Sequence, residues 1–105
     1  REPIAGLGVS NTIRAAVAGW AKTLSREVAG QGITVNSVSP GLIDTEMLRS
    51  TVSSGGALRD AAEAIPLGRI GTPDDVADAV GFLASPQSGY ITGSVIDVNG
   101  GYRMQ

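Results

Sequence analysis

One long helical repeat, followed at once by a β-branched run, limits what this chain can fold into. Between Val9 and Ala29, the residues Val9, Ile13, Val17, Ala21, Leu24 and Val28 recur at spacings of three and four. That period puts side chains on one face of a helix, and Trp20 joins the stripe. Ala15, Ala16 and Ala18 favour helix and allow close packing. Gly30 and Gly32 supply the stop, because glycine takes the left-handed cap conformation most readily. A helix longer than the usual mean of about 11–12 residues is expected to rest one face on a sheet and another on a partner. Ile33-Thr34-Val35-Asn36-Ser37-Val38 then reads as a strand, stopped by Ser39-Pro40-Gly41.

The rest of the chain continues the alternation. Leu42 to Thr45 reads as a loop, and Glu46 to Gly56 is small, polar and poorly patterned. Ala57 to Ala64 is a short helix candidate that must end before Pro66. Thr72-Pro73-Asp74-Asp75 is a helix start, with Thr72 at the N-cap, Pro73 at the first helical position and Asp75 at the capping-box position. Val76, Ala79, Val80 and Leu83 form its apolar face, and Ser85-Pro86 marks its end. Gly93 to Val98 reads as a second strand, closed by Asn99-Gly100-Gly101. A strand, a helical crossover and another strand form a parallel, right-handed unit of an α/β fold. The first helix should close a crossover from an earlier strand, and two parallel strands make no stable sheet alone. The fold class expected is therefore α/β, the C-terminal part of a doubly wound parallel sheet in the order helix, strand, helices, strand. Residues 1–105 would form part of one domain, incomplete without an N-terminal half. The opening Arg1-Glu2-Pro3-Ile4 lacks a Met and reads as an internal starting point.

Composition narrows the function. The chain has no cysteine and no histidine, so disulfides, thiolate metal sites, His-based triads and zinc hydrolysis are not expected. No metal site is expected. The basic residues are scattered and the net charge is −2, which argues against a nucleic-acid surface. No apolar run approaches the ~20 residues that span a bilayer, and no signal-peptide core opens the chain. A cytoplasmic protein with no membrane or nucleic-acid partner is the expectation.

Four segments carry a resemblance to a known family. Arg14-Ala15-Ala16-Val17 through Lys22-Thr23-Leu24, with Glu27 and Gly32-Ile33-Thr34-Val35-Asn36, is similar to the active-site helix and following strand of short-chain dehydrogenases/reductases. Pro40-Gly41-Leu42-Ile43-Asp44-Thr45 resembles the family's PG-x-I-x-T loop. Pro66 to Ala77 resembles its P-x-x-R-x-G-x-P-E-D/E-V-A segment, and Tyr90 to Gly101 its closing Y-I-T-G…V-D/N-G-G. Each motif is weak alone; four in order make the signal specific. The 3-oxoacyl-carrier-protein reductase-like group is the nearest in character, and its divergent members include ones with Ser-Asn-x-x-Arg at the active-site helix.

The resemblance implies a Rossmann-like sheet with helices on both faces. The family's Gly-rich phosphate turn opens a helix after a strand. Gly6-Leu7-Gly8 has too little chain before it for that strand, and Asn11 stands at the third glycine position. Ser54-Gly55-Gly56 follows no strand. The resemblance further implies that Pro40 and Gly41 form the loop beside the nicotinamide, that the Ile43 backbone pairs with the carboxamide, and that the Thr45 hydroxyl reaches the coenzyme. The plainer reading is that Pro40 and Gly41 only end a strand.

The family's Tyr-x-x-x-Lys puts a phenol and an ammonium one helical turn apart, where the Lys lowers the Tyr pKa and holds the ribose. Alignment on Ala15-Ala16-Val17 puts Arg14 at the Lys position and Ser10 at the Tyr position. Arg14 can keep the cationic, ribose-binding role. Ser10 is a much weaker acid than a phenol of pKa about 10 and reaches less far. Two readings therefore stand: Ser10 and Arg14 keep catalytic roles, or Ser10 is only a helix-start residue or cap and Arg14 a surface cation. The family's catalytic Ser would fall before Arg1. Trp20 and Phe82 are expected in the core, with a partner helix as the alternative, and Lys22, Arg26 and Glu27 on a solvated or interface face.

Two functions follow as expectations. The first is a fragment of an NAD- or NADP-dependent oxidoreductase that transfers hydride to or from a small carbonyl or alcohol in the intact parent. As this chain alone it would be inactive and bind no coenzyme. The alternative is a non-catalytic pseudoenzyme or oligomerisation partner. The resemblance and the orphan strand edge both imply a homo-oligomer.

Overall fold

The computed structural model describes residues 8–46, 48 and 55–102. The elements run α1 (Gly8–Val28), β1 (Ser37–Pro40), α2 (Gly55–Glu63), α3 (Pro73–Ala84) and β2 (Val95–Val98). Short 3-10 turns follow α1 at Ala29–Gln31 and α3 at Pro86–Ser88. The helix–strand–helices–strand order matches the α/β expectation. Much of the loop read at Glu46–Gly56 lies outside the described residues, as do Gly6 and Leu7; Glu46 and Leu48 are helical.

The chain divides into two compact units, residues 1–37 with 82–96 and 105, and residues 38–81 with 97–104. β1 and β2 are hydrogen-bonded neighbours. The Ser37 amide donates to the Ser94 carbonyl at 2.9 Å, and the Gly41 amide to the Val98 carbonyl at 2.9 Å. The offset between partners is the same in both pairs, so the strands are parallel.

In the first unit, α1 runs at Val28 into the 3-10 turn Ala29–Gln31, which contains Gly30 and is ended by Gly32. Gly32 has φ +77 and its amide returns to the Ala29 carbonyl at 3.0 Å, a left-handed stop. The line of α1 that is buried holds small residues. Ala21 and Ser25 are buried, and the Ser25 hydroxyl donates to the Lys22 carbonyl at 2.6 Å. A Cβ on Gly93 would lie 2.9 Å from Ser25 Oγ, so the helix comes close to the segment before β2 at Ser25. Within these residues Trp20 is 64% exposed and Phe82 46%, and Val9, Ile13, Val17 and Val80 are exposed too. Of the two expectations for Trp20 and Phe82, a core or a partner helix, this chain by itself does not supply the core.

The strand boundaries also differ from the sequence reading. Ile33 to Asn36 lie before β1, and Ser39 and Pro40 lie within it. The Val35 amide is taken by Thr92 Oγ1 at 3.0 Å, and its carbonyl accepts from the Gly93 amide at 2.8 Å. Asn36 donates from Nδ2 to the Ile91 carbonyl at 3.1 Å and accepts from the Ser94 amide at 3.0 Å. Side chains thus carry pairing that a regular ladder would carry. Pro40 costs no ladder bond at the last strand position. β2 starts at Val95 rather than Gly93 because Gly93 has φ +74, which extended backbone does not allow.

In the second unit, Ile65 is the buried apolar residue among those described. A Cβ on Gly100 would lie 2.8 Å from Ile65 Cγ2, and Gly100 itself has φ +64. The glycine pair after β2 therefore serves both a left-handed turn and a close approach. The Leu67 amide donates to the Gly100 carbonyl at 3.1 Å, which ties the connector to that turn. α3 begins as expected: the Asp75 amide donates to Thr72 Oγ1 at 3.2 Å, and the Thr72 amide donates to Asp75 Oδ2 at 2.8 Å. This is a reciprocal capping box.

Candidate functional site

Ser10 and Arg14 lie on α1, one helical turn apart and hence on one face. Ser10 is inside the first turn rather than at the cap. The Arg14 side chain is exposed. Pro40, Gly41, Ile43 and Thr45 belong to the second unit.

The Pro40–Thr45 loop is built by backbone contacts. The Gly41 amide is bound to the Val98 carbonyl. A Cβ on Gly41 would sit 2.6 Å from Asn99 Cβ and 2.9 Å from Asn99 Cα. Asn99 backbone occupies that space, so only glycine fits. Gly41 is thus more than a strand-ending turn residue, and Asn99, which sequence reasoning passed over, is its partner. Asn99 also caps the following turn, its Oδ1 accepting from the Gly101 amide at 2.9 Å.

Two residues on, Ile43 forms a parallel bridge with Gly71. The Gly71 amide donates to the Leu42 carbonyl at 2.9 Å, and the Asp44 amide donates to the Gly71 carbonyl at 2.8 Å. Successive residues of an extended segment aim their backbone groups to opposite sides. Leu42 and Asp44 therefore face Gly71, and the N–H and C=O of Ile43 point the other way. Neither Ile43 group has a hydrogen-bond partner among the described residues. One donor and one acceptor side by side match the acceptor and donor of a primary carboxamide. Gly71 packs close to Ile43, since a Cβ there would lie 2.9 Å from Ile43 Cδ1 and that side-chain end would have to shift.

Thr45 caps the next helical turn, its hydroxyl accepting from the Leu48 amide at 3.2 Å. A hydroxyl used as an acceptor keeps its own proton to donate. The carboxamide-matching pair and a hydroxyl donor thus sit two residues apart on one short loop, beyond the C-terminal end of a parallel strand. α/β sheets bind ligands at such edges.

Behind the Gly71 bridge stands an ion pair that the sequence reading did not single out. Arg69 Nη1 donates to Asp75 Oδ2 at 2.8 Å, and Nη2 to Oδ1 at 3.2 Å. The hydrogen bond from Arg69, then that from the Thr72 backbone, hold the Asp75 carboxyl well below the usual carboxylate range, and Arg69 is raised in turn. A cationic residue three positions before the N-cap was the available signal. Arg69, Asp75, Leu42 and Gly71 also border a cavity of about 280 Å³ with Asp97 and Gly100. No group of His, Cys, Asp and Glu suited to a metal ion occurs among the described residues, and none of their helices is long and apolar enough to cross a membrane.

Residues 2–103 match the family described as enoyl-(acyl carrier protein) reductase. The chain belongs to the short-chain dehydrogenase/reductase family. Within that family it is 48% identical over 92 residues to the 3-oxoacyl-[acyl-carrier-protein] reductase FabG of Vibrio cholerae, covering 87% of this chain and 36% of that protein. It is 41% identical over 95 residues to the short-chain reductase protein NovJ of Streptomyces niveus, covering 86% of this chain and 36% of that one. Among solved structures, YwfH, an NADPH-dependent reductase involved in bacilysin biosynthesis, superposes with a TM-score of 0.90 at 32% identity. That match covers 99% of this chain and 43% of YwfH. The 3-oxoacyl-[acyl-carrier protein] reductase of Brucella melitensis gives a TM-score of 0.77 at 33% identity, covering 87% of this chain and 33% of that one. The chain thus spans 36% of the length of the curated relatives just named.

Proposed function

We propose that this chain supplies the nicotinamide-facing part of an NAD(P)-dependent short-chain oxidoreductase. The full protein would transfer hydride between the coenzyme and a small carbonyl or alcohol. The observation that carries this reading is the N–H and C=O of Ile43, unpartnered among the described residues and turned away from the Gly71 bridge, with the Thr45 hydroxyl close by in sequence. Such a pair holds a carboxamide in one orientation and so fixes which ring face is presented. Pro40 and Gly41 bring the loop to the strand end, and Arg14 would hydrogen-bond the ribose. The coenzyme, when bound, supplies or accepts the hydride.

Positioning the substrate oxygen and moving its proton falls to the α1 face of Ser10 and Arg14. The guanidinium offers fixed donors to a developing oxyanion, and the serine hydroxyl offers a weak proton source. The phosphate-binding turn is not recognisable in these 105 residues, so the chain alone should bind no coenzyme and turn nothing over. Residues 1–105 would form one portion of a single sheet domain, and the exposed Val9, Ile13, Val17 and Trp20 support burial against further structure or a second copy. A cytoplasmic homo-oligomer fits the same reading.

Serine at the position of the family's tyrosine favours a second reading, a non-catalytic member that keeps the fold and the assembly. Turnover separates the two. The full-length protein, with Ser10 unchanged, is assayed for NADPH and NADH oxidation against 3-oxoacyl thioesters and simple ketones. Turnover supports the oxidoreductase. Coenzyme binding with no turnover across that panel supports the non-catalytic reading, and no coenzyme binding contradicts both the site and the activity.

A further inference from the structure

The Ile43 backbone can serve a carboxamide only if it is held in one orientation, and the loop that carries it has no regular strand pairing of its own. Beyond the Gly41 amide on Val98, Ile43 is flanked by two hydrogen bonds to Gly71, through Leu42 and Asp44. Gly71 in turn lies in the four-residue stretch Arg69-Ile70-Gly71-Thr72, which belongs to no helix or strand.

Both ends of that stretch are fastened to one carboxylate. Asp75 receives Arg69 Nη1 and Nη2 at 2.8 and 3.2 Å at one end. At the other it receives the Thr72 amide at 2.8 Å and the Thr72 hydroxyl at 3.2 Å. Arg69 Nη1 also reaches the Ile70 carbonyl at 3.4 Å. Asp75 is anchored on the first turn of α3. Helix, carboxylate, connector and loop therefore form one chain of contacts from Asp75 to Ile43. A capping box alone needs only Thr72 and Asp75; the bidentate guanidinium adds a second fastening on the far side of Gly71.

We propose that Arg69 and Asp75 are positioning residues for the nicotinamide end of the coenzyme, acting by holding Gly71 in register against Ile43. This rests on the functional reading above. Neither residue touches the coenzyme. Their role is to keep the Leu42 carbonyl and Asp44 amide occupied by Gly71, so that the Ile43 groups stay turned outward.

The role is separable from general stability because it bears on one end of the coenzyme. In the full-length protein, the affinity of the preferred dinucleotide is compared with that of the adenosine diphosphoribose lacking only the nicotinamide. The 2′-phosphate is kept if NADPH is preferred. The comparison is made for Asp75→Asn, Arg69→Met and the conservative Arg69→Lys. Loosening one or two hydrogen bonds should lower dinucleotide affinity roughly threefold to tenfold. Affinity for the truncated ligand should stay unchanged, and Arg69→Lys should recover part of the loss. Amide hydrogen exchange at Asp44 should speed up in the same order. The proposal is overturned if both ligands weaken together, as a general loss of fold would produce, or if neither weakens. An unaltered protein that binds the truncated ligand as tightly as the dinucleotide refutes the functional reading itself, and the positioning role falls with it.

Discussion

The carboxylate of Asp75 takes both guanidinium nitrogens of Arg69, at 2.8 and 3.2 Å, and the backbone amide of Thr72 at 2.8 Å. One side chain thereby caps α3 and closes a bracket around Gly71. The arrangement is charged and solvent-facing, so salt and pH can probe it.

Asp75 titrates below the ordinary carboxylate range in the folded chain, chiefly because Arg69 and then the Thr72 amide bind its charged form. The unfolded value is about 3.9. A group whose folded value is the lower of the two stabilises the fold fully above its unfolded pKa. It loses that contribution as pH falls through the folded value. The unaltered chain should therefore melt above Asp75→Asn at neutral pH, with the gap narrowing steadily below about pH 4. Thermal melts at a series of pH values check this. A gap that stays constant from pH 7 to pH 2 contradicts it. The gap should also shrink in high salt, because the pair is exposed.

Two glycine substitutions should move stability in opposite directions. Gly41→Ala drives a methyl into Asn99 Cα and Cβ and should cost about 1–3 kcal/mol, as overpacking does. Gly81→Ala adds a methyl inside α3 where nothing lies within 4 Å, and should add about 0.5–1 kcal/mol through helix propensity. Denaturant midpoints of the two variants are the measurement. A neutral Gly41→Ala would mean that the loop is not packed on Asn99.

Asn36 replaces a stretch of β-ladder with its own amide. Asn36→Ala leaves the Ser94 amide and the Ile91 carbonyl without their partners and should destabilise by about 1–3 kcal/mol. Asn36→Asp keeps the acceptor for Ser94 and loses the donor for Ile91. Its amide exchange at Ser94 should stay slow while overall stability falls. Rapid exchange at Ser94 in Asn36→Asp would count against this assignment.

Much of this was legible in the sequence, for identifiable reasons. Thr72-Pro73-Asp74-Asp75 announced α3 because a cap is local chemistry, set by residues three apart. Gly32 announced the end of α1 because only its own backbone matters there. The strand edges differ because Asn36 pairs with Ile91 and Ser94, and Thr92 with Val35, across a wide sequence gap that no local period reveals. Trp20 and Phe82 stay exposed within these residues; a helical stripe shows which face is apolar, not what covers it. In α1 the packed line is Ala21 and Ser25, selected by the approach of Gly93. Family resemblance pointed to Ile43, but the reason its backbone is available, a bridge to Gly71, needed three-dimensional pairing. Asn99 and Arg69 stand in recognisable motifs, but their partners Gly41 and Asp75 come from the fold.

Arg14 should matter to coenzyme binding in the full-length protein if it holds the ribose. Arg14→Met then removes a charge-assisted hydrogen bond and should weaken dinucleotide binding roughly tenfold to a hundredfold. Arg14→Lys should retain part of the affinity, since the charge survives while the planar fork does not. Calorimetric titration of the variants gives the answer. Equal affinity in all three proteins would leave Arg14 as a surface cation.

The most direct test of the central claim is the backbone amide of Ile43, followed by ¹H–¹⁵N resonance during coenzyme titration of the full-length protein. The Ile43 amide should shift strongly and exchange more slowly with hydride coenzyme bound, and respond little to the same nucleotide lacking nicotinamide. An Ile43 amide that is unmoved by saturating coenzyme contradicts the assignment of this loop as the nicotinamide site.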